Sequence, residues 1–124
     1  MADHSLDPFG WAPQRAGLFL DFDGFLADIV PDPNVARIRA GVADLLIELS
    51  AQLGRVTVIS GRPDGYIDAM VPPQVDIVGL YGLEWRSRGV HHTLHEAESY
   101  RATVRELVEE ATQTFVAAVV EPKG

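Results

Sequence analysis

A chain of 124 residues with 10 basic and 18 acidic side chains, net charge −8, has the wrong sign for a nucleic acid or an anionic membrane partner. At 47% apolar and 23% charged residues it reads as one soluble domain at most, able to bury about two thirds of its unfolded surface. The lack of cysteine excludes a disulfide framework, thiolate catalysis and a thiolate metal site, and no apolar run nears the ~20 residues of a membrane span. The N-terminus lacks the basic and apolar regions of a signal peptide, so the expected location is cytoplasmic.

Residues 1–15, with Pro8, Gly10 and Pro13, read as a flexible leader in which Phe9 and Trp11 are the candidate anchors. The apolar run Gly17-Leu18-Phe19-Leu20 then predicts a buried strand over about 17–21, and it feeds Asp21-Phe22-Asp23-Gly24. Open α/β sheets bind ligands at the C-terminal ends of their strands. Residues two apart share a side of an extended chain, so both carboxylates can look into one cavity. Two like charges held together there need a cation or a proton to divide them. The blander reading is a loop Asp-x-Asp that caps the next helix.

That helix is expected to start at Asp32 or Asn34, with Pro33 in its first turn. Val35, Ile38, Val42, Leu45, Leu46, Leu49 and Leu53 make its apolar stripe, and Gly54 ends it. A second strand over about 56–60 completes a right-handed βαβ unit. In Val56-Thr57-Val58-Ile59-Ser60-Gly61-Arg62-Pro63, Ser60 falls at the strand tip with backbone N–H groups nearby to hold an anion. An ordinary strand-to-helix turn would read the same way. A short helix over about 63–70 stops at Pro72-Pro73, and a third strand covers about 75–80.

Alternation over 84–95 around Arg88-Gly89 predicts an exposed hairpin. Its histidines, His91, His92 and His95, invite a metal-site reading, but His91 and His92 would point to opposite sides of a strand. A helix over about 97–115 is expected to bury Tyr100, Val104, Leu107, Val108, Ala111 and Phe115, and Val116–Val120 to start another strand.

In this order, with one helix between them, the Asp21 and Ser60 stretches resemble the haloacid dehalogenase superfamily of phosphohydrolases, and within it the trehalose-6-phosphate phosphatase family. Ile29-Val30-Pro31-Asp32-Pro33, Tyr81-Gly82-Leu83-Glu84 and Val120-Glu121-Pro122-Lys123-Gly124 extend the resemblance to about residues 17–124. It implies an α/β fold, a Rossmannoid three-layer α/β/α with a parallel sheet truncated before its last core strands. Residues 16–115 would be the core and 116–124 the start of a cap. It implies Asp21 as the nucleophile that forms an aspartyl-phosphate and Asp23 as the acid and base. Mg²⁺ would be held by the Asp21 carboxylate, the Asp23 carbonyl and a later acidic motif.

The resemblance further places Ser60 and Gly61 at the phosphoryl oxygens. Glu84, Glu121 and Lys123 would meet sugar hydroxyls, and Arg62 would steady the loop or cap beside the substrate. The implied substrate is a sugar phosphate, trehalose 6-phosphate. Phe25 stands where the family usually has Thr, and the family's later Lys and Gly-Asp-Asp motif have no counterpart in these residues. The expectation is therefore an inactive 124-residue chain that self-associates through open sheet edges. A non-catalytic remnant or binding module of the same fold, or a phospho-acceptor domain, are the alternatives.

Overall fold

The structure, a computed structural model, describes residues 7–120. One sheet runs in the order β1 (Gly17–Asp21), β2 (Arg55–Ile59), β3 (Asp76–Gly79), β4 (Glu84–Ser87) and β5 (Val90–Thr93). The first three strands are parallel, in a register that sets Gly17 against Arg55 and Asp21 against Ile59. β3, β4 and β5 pair antiparallel, so the sheet is mixed and the expected hairpin is built into it. Connection length decides this. Helix-bearing segments join β1 to β2 and β2 to β3, whereas a single 3₁₀ turn, Leu80–Gly82, joins β3 to β4 and is too short to cross over. Arg88 (φ 51°) and Gly89 (φ 77°) close the hairpin with both turn residues left-handed, which matches the twist of the strands they connect.

Helices α2 (Val42–Gln52) and α3 (Asp64–Asp68) cover one face of the sheet. Leu46 and Ile67 pack there with Val56, Val58 and Ile77, and Leu18 and Leu20 of β1 join them. Each of the fully buried side chains contributes about 1.5–3 kcal/mol, and the partly buried Leu18 and Leu20 less. On the opposite face Phe19 is 63% exposed and Ile59 is also exposed, so among the described residues helices cover one side of the sheet. No helix among the described residues is long and apolar enough to cross a membrane.

Several elements differ from expectation. Within the leader, α1 (Asp7–Trp11) and a 3₁₀ turn at Pro13–Arg15 form, with Trp11 exposed; residues 1–6 lie outside the described residues. The single helix expected from about 34 is split. Pro33–Val35 is a 3₁₀ turn capped by Asp32, whose Oδ1 accepts the Asn34 N–H at 3.0 Å. Ile38 then bridges Ala27, and α2 begins only after Gly41 at φ 82°. The bridge to Ala27 is non-local, and the 3.6-residue spacing of the apolar positions carries no trace of it.

The C-terminal helix is also divided, into α4 (His95–Glu98) and α5 (Arg101–Thr114). Its stripe is half-sheltered at Val104, Val108 and Ala111, while Tyr100, Leu107 and Phe115 are exposed. Val116–Val120 forms no strand, and Val116 and Val119 are exposed. An extended segment needs a neighbouring strand to satisfy its N–H and C=O groups, and among the described residues none pairs with this one.

Candidate active site

The parallel register of β1 and β2 brings the first two motifs together. Asp21 ends β1 opposite Ile59, the last residue of β2, so Ser60 and Gly61 follow at the neighbouring strand tip. Asp21 is exposed, and its Oδ1 accepts the Phe22 N–H at 2.7 Å. Ser60 is buried. Its N–H donates to the Val78 carbonyl at 2.9 Å and its Oγ accepts the Arg62 N–H at 3.1 Å, which orients the hydroxyl. Asp21, Ser60 and Gly61 line one cleft of about 320 Å³, walled by Phe19, Ile59 and Tyr81.

Tyr81 was not singled out from the sequence beyond its place in Tyr81-Gly82-Leu83-Glu84. It is left-handed at φ 57° and 79% exposed, and its ring lies so close to Gly61 that a Cβ there would sit 2.6 Å from Cζ. A glycine directly after a strand-tip serine was the available signal for such an approach.

Asp23 is not among the residues lining this cleft. After β1 the chain turns tightly. Phe22 is fully buried, its carbonyl accepts the Leu26 and Ala27 N–H groups at 3.1 and 3.0 Å, and Gly24 takes φ 79°. That turn aims the Asp23 carboxylate at Arg62. Nε donates to Oδ2 at 2.8 Å and Nη2 to Oδ1 at 2.7 Å, a two-bond fork. Arg62 Nη1 also donates to the Pro33 carbonyl at 2.6 Å. As placed, the fork of Arg62 faces Asp23.

Glu84 starts β4 and is buried away from this cleft, with Oε1 accepting the Asp64 N–H at 2.7 Å. Burial pushes its carboxyl above the ordinary range; the Asp64 N–H pulls back, the Asp64 carboxylate adds to the rise, and Arg101 opposes it. Glu84 lines a second, apolar cleft of about 300 Å³ between the hairpin and α5, with Leu80, Leu94, Tyr100 and Val104. Phe25 is exposed and does not line the Asp21 cleft. Glu121 and Lys123 lie outside the described residues.

The hairpin histidines do diverge. His91 Nδ1 meets Asp64 Oδ2 at 2.8 Å and its Nε2 lies 3.4 Å from Asp68 Oδ1, while His92 stacks on Trp85 with ring centroids 5.2 Å apart. The hydrogen bond to Asp64 raises the His91 pKa above its usual value, and the charges of Asp64 and Asp68 add to that. Arg86, 4% exposed, reaches under α3. Its Nη2 donates to the carbonyls of Val71, Pro72 and Val75 at 3.3, 2.8 and 2.8 Å, and Nη1 pairs with Asp68. The charged hairpin and the loop before β3 are thereby joined to α3, which the Ser60–Pro63 turn feeds directly.

The donors at the β1 tip suit a hard cation in kind. The Asp21 carboxylate and the Asp23 main-chain carbonyl are oxygen ligands of the sort Mg²⁺ takes, with water and substrate phosphate completing its shell. The Asp23 side-chain oxygens are committed to Arg62. This pairing also changes the charge balance. A carboxylate repels each phosphate charge by roughly 4 kcal/mol at about 4 Å and an effective dielectric of about 20. With Asp23 paired to Arg62, Asp21 is the one of these two carboxylates that lines the cleft.

A trehalose-phosphatase family model matches residues 19–124. The chain is 32% identical over 123 residues to a probable trehalose-phosphate phosphatase of Sinorhizobium fredii, covering 97% of this chain and 44% of that one. It is 34% identical over 107 residues to the trehalose-phosphate phosphatase of Mycobacterium ulcerans, covering 86% and 27%. Among solved structures, a trehalose-6-phosphate phosphatase related protein superposes with a TM-score of 0.72 at 19% identity, over 82% of this chain and 44% of that one. The Aspergillus fumigatus trehalose-6-phosphate phosphatase gives 0.65 at 28% identity, over 92% and 43%. The chain thus spans less than half the length of these relatives, and by the match over residues 19–124 it belongs to the trehalose-phosphatase family of the haloacid dehalogenase superfamily.

Proposed function

We propose that the chain carries the nucleophile and phosphate-holding tips of a sugar-phosphate hydrolase acting on trehalose 6-phosphate. One observation supports this reading above the others: Asp21 ends β1 directly opposite the strand that delivers Ser60 and Gly61, and the three share one cleft. An Asp21 oxygen attacks phosphorus, the bond to the sugar oxygen breaks, and an aspartyl-phosphate forms. Asp23 gives the departing oxygen a proton. It then takes one from the water that attacks phosphorus, which frees inorganic phosphate and restores Asp21. Ser60 donates its hydroxyl to a phosphoryl oxygen and the Gly61 N–H assists. Mg²⁺, held by the Asp21 carboxylate and the Asp23 carbonyl, would supply the charge neutralisation that a dianionic ester requires at this carboxylate.

Glu84, Glu121 and Lys123 are assigned to the sugar, whose hydroxyls both donate and accept. For Glu84 this assignment requires its carboxyl to serve from the floor of the second cleft. The test is Asp21→Asn, which keeps the shape of the side chain and removes the nucleophile. In a protein that joins these residues to the family's later Lys and Gly-Asp-Asp motif, phosphate release from trehalose 6-phosphate in Mg²⁺ should disappear while the fold persists. A variant within about tenfold of the parent, about 1.4 kcal/mol of barrier, would exclude Asp21 as nucleophile.

A further inference from the structure

Arg62 is held on more sides than a charge partner needs. Its guanidinium carbon lies 4.6 Å from the Tyr66 ring centroid and 5.6 Å from that of Phe22, and its side chain is only 14% exposed. Nη1 is fixed by Pro33 O, which also accepts the Tyr66 hydroxyl at 3.1 Å. The remaining edge presents two parallel N–H donors to the two Asp23 oxygens. A planar guanidinium fixes both the position and the plane of a carboxylate it binds in this way, whereas an ammonium fixes neither. Asp23 itself is 39% exposed and follows a turn with left-handed Gly24, so without the fork its side chain would be free to rotate.

We infer that Arg62 is a positioning residue for Asp23: it parks the carboxylate beside the Asp21 cleft, and one arm of the fork must open before Asp23 acts as an acid. This rests on the reaction proposed above. While both Asp23 oxygens accept from Arg62, neither can pass a proton to a departing sugar oxygen. Opening one arm lets the freed oxygen take a proton from solvent; the resulting carboxyl O–H then donates to the departing sugar oxygen as its bond to phosphorus breaks, while the other arm keeps the group in place. The clamp spans the turn after β1, the 3₁₀ turn at Pro33 and the Ser60–Pro63 turn, so a shift in any of these moves Asp23.

Two readouts test this. In the 124-residue chain, the Arg62 Nε–H resonance should stand apart from those of solvated arginines and exchange slowly with water. In Asp23→Asn it should collapse to the solvated position, with the amide spectrum otherwise retained. A resonance that never stands apart, or that is unmoved by Asp23→Asn, overturns the clamp. The second readout is turnover with Mg²⁺ of trehalose 6-phosphate against p-nitrophenyl phosphate, whose leaving group needs no acid. Arg62→Lys should lower the first at least tenfold more than the second, a fraction of the 10²–10⁴ that a general acid supplies. Equal losses on the two esters would make Arg62 a phosphate contact or a scaffold residue and refute its positioning role. Because residues 1–124 alone are expected to be inactive, turnover is read in a protein that joins them to the family's later Lys and Gly-Asp-Asp motif. If that protein turns over neither ester, the reaction assignment fails, and the Nε–H readout still decides the clamp.

Discussion

Replacing Arg86 by methionine removes a buried cation whose Nη2 serves three main-chain carbonyls, while keeping much of the volume of its stem. Hydrogen bonds from a charged donor contribute about 1.5–3 kcal/mol each, so the three carbonyl bonds give a gross loss of about 4.5–9 kcal/mol. Two terms reduce it. Burying the guanidinium is itself costly, and Nε has no acceptor among the described residues. The Asp68 partner is 40% exposed, so that ion pair adds no more than about 1 kcal/mol. A net loss of about 3–5 kcal/mol remains, typical of breaking a buried charged cluster from one side. For a chain of this size that lowers Tm by about 12–20 °C, and it shifts a urea midpoint by about 1–3 M. Arg86→Lys should fall between, since an ammonium keeps the charge and reaches fewer of the carbonyls. A loss under about 1 kcal/mol for Arg86→Met, or a gain, would show that desolvation cancels the network and that Arg86 does not hold the loop before β3.

Two glycines with the same close contact should respond differently. A Cβ on Gly79 would lie 2.6 Å from the Asp64 nitrogen and 2.9 Å from the Arg62 carbonyl, both backbone, so Gly79→Ala should cost at least about 1–3 kcal/mol in denaturant titration. The nearest atoms that Gly61→Ala meets belong to the exposed Tyr81 ring, which can swing aside, so it should cost less than about 1 kcal/mol while weakening inorganic phosphate binding measured by calorimetry. Equal losses of stability would contradict the distinction. His91→Gln should show a pH signature. The folded His91 pKa is raised, so its stabilisation is complete below about 6.5 and fades as pH climbs through the folded value. The stability gap between parent and variant should therefore be wider at pH 6 than at pH 8.5. A gap that is flat or widens with pH would remove the protonated His91 from the hairpin contact. Phe25→Thr exchanges an exposed ring outside the cleft and should change stability by no more than about 0.5 kcal/mol in the same titration.

The parts of the fold that were legible from the sequence are those whose cause is local. An apolar run ending in small or acidic residues marks the tips of β1 and β2, and Arg88-Gly89 marks the hairpin turn. Partnership across the chain was not legible. Ile38 left the helical stripe because it meets Ala27, and Val116–Val120 stayed out of the sheet because β-branched residues need a neighbour as well as a propensity. At the site, Asp21 and Ser60 could be placed together from the βαβ pattern. The fork between Arg62 and Asp23 spans 39 positions, and the burial of Glu84 and Arg86 depends on which side of β4 meets α3; neither has a signature in spacing.

The single 3₁₀ turn that joins β3 to β4 has a consequence for how this sequence can vary in length. In β4, Glu84 and Arg86 are buried against α3 and its following loop, while Trp85 and Ser87 face the other way. An insertion of one residue after Leu83 would exchange the two sets, setting an indole where the guanidinium sits and turning both charges outward. An insertion of two would restore the faces but move Arg86 about 6.6 Å along the strand, beyond the three carbonyls it serves. Relatives that differ in length near this hairpin are therefore expected to carry the difference after Thr93, and to keep the interval from Val71 to Arg86 unchanged.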